Sequence, residues 1–140
     1  MKTLTKEMQD SITPKLALEI LKEGNKRFVN NLKANRNLLQ QANETSNGQH
    51  PFAVILSCID SRTSAELIFD QGLGDLFIIR TAGQVSAAAS YGSMEFATLK
   101  LKTKLIVVLG HTECGAVAAA VQRPEDVPGH IVTLVNEIKS

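Results

Sequence analysis

Three short, continuously apolar runs alternate with helical patterns in the second half of the chain. The runs are Phe52–Ser57, Leu76–Arg80 and Lys104–Leu109. Helical patterns follow them at Ser64–Asp70, Ala87–Lys100 and Cys114–Gln122. Because a strand that is apolar at every position is buried on both faces, such runs are typical of a parallel sheet with helices above and below it. The alternation predicts an α/β fold, a Rossmann-like layered arrangement with a central, mostly parallel sheet flanked by helices.

The first fifty residues differ from the rest of the chain in composition and in hydrophobic pattern. Thr13–Lys33 has helical spacing, with Thr13 as a cap and Pro14 in the first turn. The Asn- and Gln-rich stretch Asn35–Gln49 is typical of a long surface connection. A chain of 140 residues can bury roughly 68% of its unfolded surface, which suffices for one core. We therefore expect one domain over residues 1–140, with a helical arm and connection at 1–50 and an α/β core at 51–140.

The charge balance argues against several classes of partner. The 15 Lys+Arg and 14 Asp+Glu residues give a net charge of +1 and are interspersed. Without a basic stripe, we expect no nucleic acid and no membrane surface as partner. No apolar run, Leu105–Leu109 included, is long enough to span a bilayer, and the polar start Met1–Asp10 has no targeting pattern. These features predict a cytoplasmic protein.

Two clusters of reactive side chains follow the first and third apolar runs. They are Ser57–Arg62 and Gly110–Gly115. Carboxyl ends of parallel strands share one edge of a sheet, so the clusters face one another if the strands are neighbours. Taken alone, a cysteine at a strand end is more often a small buried hydrophobe. The chain has only two cysteines, and a histidine lies close to one of them in sequence, which favours a role of these cysteines as metal ligands or reactive thiols. The absence of a Cys-x-x-Cys pair argues against a redox role.

The spacing of these residues suits a metal ion. His111 and Cys114 are three apart at the start of a helix, so both can point to one centre, and the helix N-terminus favours the thiolate of Cys114. With Cys58, two sulfurs and one imidazole leave one position of a tetrahedron open, as in a catalytic zinc site.

Water or Asp60 can take the fourth position. Arg62 is placed to form a two-pronged pair with Asp60, which keeps that carboxylate ionised and turned away from the metal. Asp60 then accepts a hydrogen bond from a metal-bound hydroxide. If Arg62 released Asp60, the carboxylate would ligate the metal and close the site at lower pH.

These motifs resemble a known family. Cys58-x-Asp60-Ser61-Arg62 with His111-x-x-Cys114-Gly115 is similar to the signature of β-class carbonic anhydrases. The similarity continues through residues 65–77, 80–83 and 107–116, and residues 21–28 resemble the N-terminal helix of the family.

The resemblance implies a zinc lyase that interconverts carbon dioxide and bicarbonate, with one Zn²⁺ per chain. By that resemblance Cys58, His111 and Cys114 bind zinc, Asp60 orients the hydroxide and Arg62 holds Asp60. It further implies that Gln49, Phe77 and Gly115 contact the substrate. Family members are dimers or larger, so we expect a homodimer or a larger homo-oligomer.

Three departures from the family pattern leave alternatives open. Gln84 stands where the family usually has Asn, and Ile59 stands where a small residue is common. The chain is also C-terminally shortened relative to the family, which leaves the third strand without a usual neighbour. A carbonyl sulfide or carbon disulfide hydrolase on the same scaffold, or a truncated zinc-binding homologue without activity, therefore remain alternatives to carbonic anhydrase.

Overall fold

A three-stranded parallel sheet lies at the centre of the molecule. In the computed structural model, which describes residues 2–122 and 127–139, the strands are β1 (Ala53–Ser57), β2 (Leu76–Arg80) and β3 (Leu105–Leu109). Their order is β2-β1-β3, and β1 pairs in parallel with both neighbours. The α/β architecture expected from the alternation of strands and helices is confirmed.

Seven α-helices surround the sheet in the part of the chain that the structure describes. They are α1 (Lys6–Ser11), α2 (Pro14–Val29), α3 (Leu38–Glu44), α4 (Ala65–Ile68), α5 (Ala88–Glu95), α6 (Gly115–Gln122) and α7 (Ile131–Lys139). A 3₁₀ turn at Ala82–Gln84 follows β2, and one π-helical turn at Phe96–Lys100 continues α5. None of the described helices has the length and apolar character needed to cross a membrane.

Side-chain caps set the boundaries of the N-terminal helices. The Leu16 amide donates to Thr13 Oγ1 at 3.1 Å, as expected for a capping threonine before Pro14. Helix α2 ends at Val29, earlier than the predicted Lys33, and Asn31 follows with a positive φ of 55°. The predicted connection 35–49 is wrong in part, because it contains α3, whose N-cap Asn37 accepts from the Gln40 amide at 3.0 Å.

The hydrophobic core lies between one face of the sheet and the N-terminal helices. Its buried members include Ile12, Ala17 and Leu21 from the N-terminal region and Ala53 and Ile55 from β1. Alternate residues of β2 and β3 pack against the same cluster. Side chains of the N-terminal region therefore contribute to the core, and the division into segments 1–50 and 51–140 stays a prediction.

The opposite face of the sheet is only partly covered. Strand β1 is buried at all five positions, whereas Ile106 and Val108 of β3 are 42% and 64% exposed. The expectation that all three strands are buried on both faces is wrong for β3. No helix of the described ranges covers Ile106 and Val108 on this face of β3, so an apolar surface remains exposed there.

A charged cluster joins α2, the segment before α3 and Asp70, the second residue after α4. Asp70 accepts from Arg27 Nε at 2.5 Å, from Arg36 Nη1 at 2.8 Å and from the Ala34 amide at 3.0 Å. The side chains of Asp70 and Arg36 are each only 7% exposed. Burial alone would raise the pKa of Asp70, but these hydrogen bonds hold it below its usual range.

Gly24 allows α2 to approach the end of α4. A Cβ atom added at Gly24 would lie 1.8 Å from the main-chain oxygen of Phe69. We therefore expect Gly24→Ala to lower the free energy of unfolding by about 3 kcal/mol, since backbone must move to admit the methyl group. Denaturant unfolding measures this change.

Gly92 provides the matched control within α5. A Cβ atom there meets nothing within 4 Å, so Gly92→Ala should stabilise the protein by about 0.5–1 kcal/mol through helix propensity. Equal effects of the two substitutions would contradict the close approach of α2 to Phe69.

Candidate metal centre

The loops that follow β1 and β3 meet at one edge of the sheet. The two strands are paired from Ala53↔Leu105 to Ser57↔Leu109. Cys58 and Gly110 therefore leave the sheet side by side, as the sequence predicts for neighbouring strands.

Three ligand atoms converge at this edge. The ligand atoms of Cys58, His111 and Cys114 all lie within 4.8 Å of one another, and the two sulfurs are 3.9 Å apart. Two sulfurs bound tetrahedrally to one zinc ion at about 2.3 Å would lie roughly 3.8 Å apart. The donor set and its spacing thus fit Zn²⁺.

The histidine ring is held in an orientation that suits a ligand. Nδ1 of His111 lies 2.7 Å from the Thr112 carbonyl oxygen, to which it donates. Nε2 is buried and has no hydrogen-bond partner among the described residues. A buried nitrogen with a free lone pair beside two thiols is what a metal ion would satisfy.

The Cys58 sulfur lies in a setting that favours its thiolate. The side chain is 5% exposed, and Sγ accepts from the Gly83 amide at 3.3 Å. Burial would raise the pKa of Cys58, but the hydrogen bond from the Gly83 amide and the neighbouring His111 ring lower it to about 7. The contact with Cys58 in turn raises the pKa of His111.

In the metal-free chain we expect the ultraviolet absorbance of thiolate to rise with a midpoint at about pH 7. The hydrogen bonds stabilise the charged form, so the thiolate persists to lower pH than in an ordinary cysteine. Cys58→Ser should remove this transition and so assign it. A single transition near the ordinary value of about 8.5 would contradict the assignment.

Asp60 is paired with Arg62 beside this cluster. Arg62 Nη2 and Nε donate to the same oxygen, Asp60 Oδ1, at 2.8 and 3.2 Å, and the Arg62 amide donates to Oδ2 at 3.1 Å. The side chain of Asp60 is 14% exposed and that of Arg62 is 65% exposed. These hydrogen bonds hold the pKa of Asp60 below its usual range, so the carboxylate is ionised at neutral pH.

Arg80, the last residue of β2, and Gly83, shortly after it, contact the Cys58 loop, although their sequence pattern predicts no role for them. Arg80 donates to the main-chain oxygens of Cys58 and Asp60, and the Gly83 amide donates to the Cys58 sulfur. Gly83 has a φ of 66°, a conformation that favours glycine. In the sequence, the feature that could have singled out Arg80 is its charge at the end of an otherwise apolar run.

A cleft of about 540 Å³ opens beside the cluster. Gly115, the first residue of α6, lies on it together with His111 and Cys114. Gln84 also lines this cleft, and its buried Oε1 has no partner among the described residues. Ile59, between Cys58 and Asp60, is 61% exposed.

Two residues expected at the substrate site lie elsewhere. Gln49 is exposed and lies near Gly74, which precedes β2, and so at the sheet edge opposite the cluster. Phe77 lines a separate cleft between β2 and α5. The structure does not bring either residue to the Cys58 loop within one chain, and their assignment as substrate-binding residues stays a prediction.

Known proteins with sequences similar to this chain are carbonic anhydrases. A family model described as carbonic anhydrase matches residues 53–140. Carbonic anhydrase 2 of Mycobacterium tuberculosis is 48% identical over 127 residues, which are 89% of this chain and 61% of that protein. The carbonic anhydrase of Mycolicibacterium smegmatis is 50% identical over 108 residues, which are 76% of this chain and 52% of that protein. The chain thus spans less than two thirds of either relative.

Solved structures share the fold. The β-carbonic anhydrase CafA of Aspergillus fumigatus is 30% identical, with a TM-score of 0.63 over 87% of this chain and 56% of that chain. A tetrameric β-carbonic anhydrase of Sordaria macrospora is 25% identical, with a TM-score of 0.66 over 89% of this chain and 60% of that chain. The arrangement of β1–β3 and their helices therefore recurs in both proteins.

Proposed function

This chain belongs to the β-class carbonic anhydrase family, and from that premise we propose that it catalyses the reversible hydration of carbon dioxide to bicarbonate and a proton. The observation that carries the proposal is the convergence of Cys58, His111 and Cys114 within 4.8 Å, next to the Asp60–Arg62 pair. A structural zinc site would need no such carboxylate at its side.

The residues that would hold the metal are Cys58, His111 and Cys114, as one Zn²⁺ per chain. Zinc lowers the pKa of a water molecule that it binds to about 7, and so supplies hydroxide near neutral pH. The buried Nε2 of His111, which has no hydrogen-bond partner in the described part of the chain, and the lowered pKa of Cys58 support this assignment.

Asp60 would orient the attacking group. Arg62 donates two hydrogen bonds to Oδ1 and one to Oδ2, so Oδ2 keeps a further lone pair. An ionised Asp60 accepts a hydrogen bond from the attacking O–H and so directs the lone pair of that oxygen toward the carbon of the substrate. Arg62 acts through Asp60, because it keeps that carboxylate ionised and turned in one direction.

Gly115 would bind the product. It begins α6 and lines the cleft next to Cys114. Amide groups at a helix N-terminus favour anions, so its N–H is suited to an oxygen of bicarbonate.

We further propose a homodimer or a larger homo-oligomer. The tetrameric relative of Sordaria macrospora and the exposed apolar side chains of Ile106 and Val108 support this assembly. If Gln49 and Phe77 contact substrate, a second copy must bring them to the cluster, because one chain keeps them apart.

The test is zinc content and CO₂ hydration on the same purified sample. We expect one zinc per chain and turnover in a stopped-flow pH-indicator assay, both lost on treatment with a chelator and regained with Zn²⁺. Zinc binding without CO₂ turnover would overturn the proposed reaction and favour another linear substrate or a non-enzymatic role.

A further inference from the structure

Arg80 links the metal-binding loop to the sheet. It is the last residue of β2, and its register partner in β1 is Ser57, the residue before Cys58. The Thr81 amide donates to the Ser57 oxygen at 3.0 Å and extends the pairing by one bond. The guanidinium group thus projects from a fixed strand end toward the loop that carries Cys58 and Asp60.

The guanidinium group makes two hydrogen bonds to that loop. Nε donates to the main-chain oxygen of Cys58 at 2.8 Å, and Nη2 donates to the main-chain oxygen of Asp60 at 2.5 Å. The Asp60 oxygen also accepts from the amide and hydroxyl of Thr63, each at 3.2 Å. Arg80 therefore bridges the two main-chain carbonyls that flank Ile59, and it touches neither the Cys58 sulfur nor the Asp60 carboxylate.

Arg62 cannot provide the same restraint. It belongs to the loop itself and is 65% exposed, so it fixes the Asp60 carboxylate relative to the loop only. Arg80 fixes the loop relative to β2. An arginine suits this role because its rigid, planar fork meets two acceptors at once, whereas a lysine meets them as a mobile point charge.

We infer that Arg80 is a positioning residue that holds the main chain from Cys58 to Asp60 in the geometry that the metal requires. This inference rests on the proposed function. Without the two hydrogen bonds, the Cys58–Ile59 peptide group loses its link to β2, and the Asp60 carbonyl keeps its bonds from Thr63 within the loop. The loop that carries the sulfur and the carboxylate can then shift relative to β2. Mutation of residues that hold metal ligands in place typically lowers metal affinity or activity by 10- to 100-fold.

The rate of zinc release to an excess of chromogenic chelator tests the inference on the full zinc-loaded chain. We expect Arg80→Met to release zinc at least about tenfold faster than the parent protein. Arg80→Lys, which keeps the charge and one donor group, should give an intermediate rate and partial rescue. The visible absorption bands of the Co²⁺-substituted protein should also change in Arg80→Met, because the cysteine ligand has moved.

Arg27→Met is the matched control for loss of a partly buried arginine. Arg27 forms a hydrogen bond with Asp70, away from the three metal-binding side chains. This variant should therefore lose thermal stability but release zinc within about twofold of the parent rate.

Release from Arg80→Met at the parent rate, with unchanged Co²⁺ bands, would overturn the positioning role. If Arg80→Met does not fold, parent-like release from Arg80→Lys overturns it in the same way. A parent chain that binds no zinc would instead overturn the proposed function.

Discussion

Asp60→Asn lowers the kcat/KM for CO₂ hydration by about 100-fold or more, and the chain keeps its zinc. The substitution preserves shape but replaces an ionised acceptor with a neutral amide. Arg62 then loses its ion pair, and the attacking O–H loses the acceptor that orients it. Losses of this size are typical when the group that orients the attacking atom is removed. Stopped-flow hydration with zinc quantified on the same sample measures both quantities.

Asp10→Asn is the matched control for this substitution. Asp10 is exposed and pairs with Lys6 at 3.1 Å on the surface of α1. Removing its charge should leave kcat/KM within about twofold of the parent value, because an exposed pair contributes little. Retention of parent activity by Asp60→Asn would remove Asp60 from the mechanism.

Asp70→Asn has the largest expected effect on stability. The carboxylate is buried between Arg27 and Arg36, and Arg36 is itself only 7% exposed. Without the carboxylate charge, Arg36 remains buried and uncompensated, which costs about 3–5 kcal/mol. We expect the Tm to fall by about 10 °C or more at pH 7. Calorimetry measures this shift, and Asp10→Asn again serves as the exposed control.

The pH dependence of this effect has a defined sign. The folded pKa of Asp70 lies below its usual range, so its ionisation stabilises the fold above the unfolded pKa of about 3.9. That contribution is lost as the pH falls through the folded pKa. The stability difference between the parent and Asp70→Asn should therefore shrink in acid. A difference that stays constant from pH 7 to acid would contradict a charged Asp70 in the fold.

The sheet and the cluster at its edge were accessible from the sequence. Continuous apolar runs mark strands, and the rule that parallel strands end at one edge brings Cys58 next to His111 and Cys114. The pairing of Asp60 with Arg62 follows from their spacing in the same loop. Each of these inferences depends on local pattern or on a general rule of α/β topology.

Several features of the structure could not be predicted from the sequence, because they depend on contacts between residues that are far apart in the chain. The apolar pattern of β3 predicts burial but does not say which element covers each face, and Ile106 and Val108 are exposed. Helix α3 was hidden by its Asn- and Gln-rich composition, although Asn37 is a good cap. The role of Arg80 depends on the register between β2 and β1, which no local pattern contains.

The strand order also imposes a sequence of events on folding. The contact between Arg80 and Cys58 closes a separation of 22 residues, whereas that between Cys58 and Cys114 closes 56. The longer loop costs about 0.8 kcal/mol more in chain entropy, and its partner strand is synthesised later. We therefore expect β1 to pair with β2, and so to shape the Cys58 loop, before β3 brings the other two ligands. On that order one thiol is held in a preformed half-site, and the complete chelate forms only when β3 has docked.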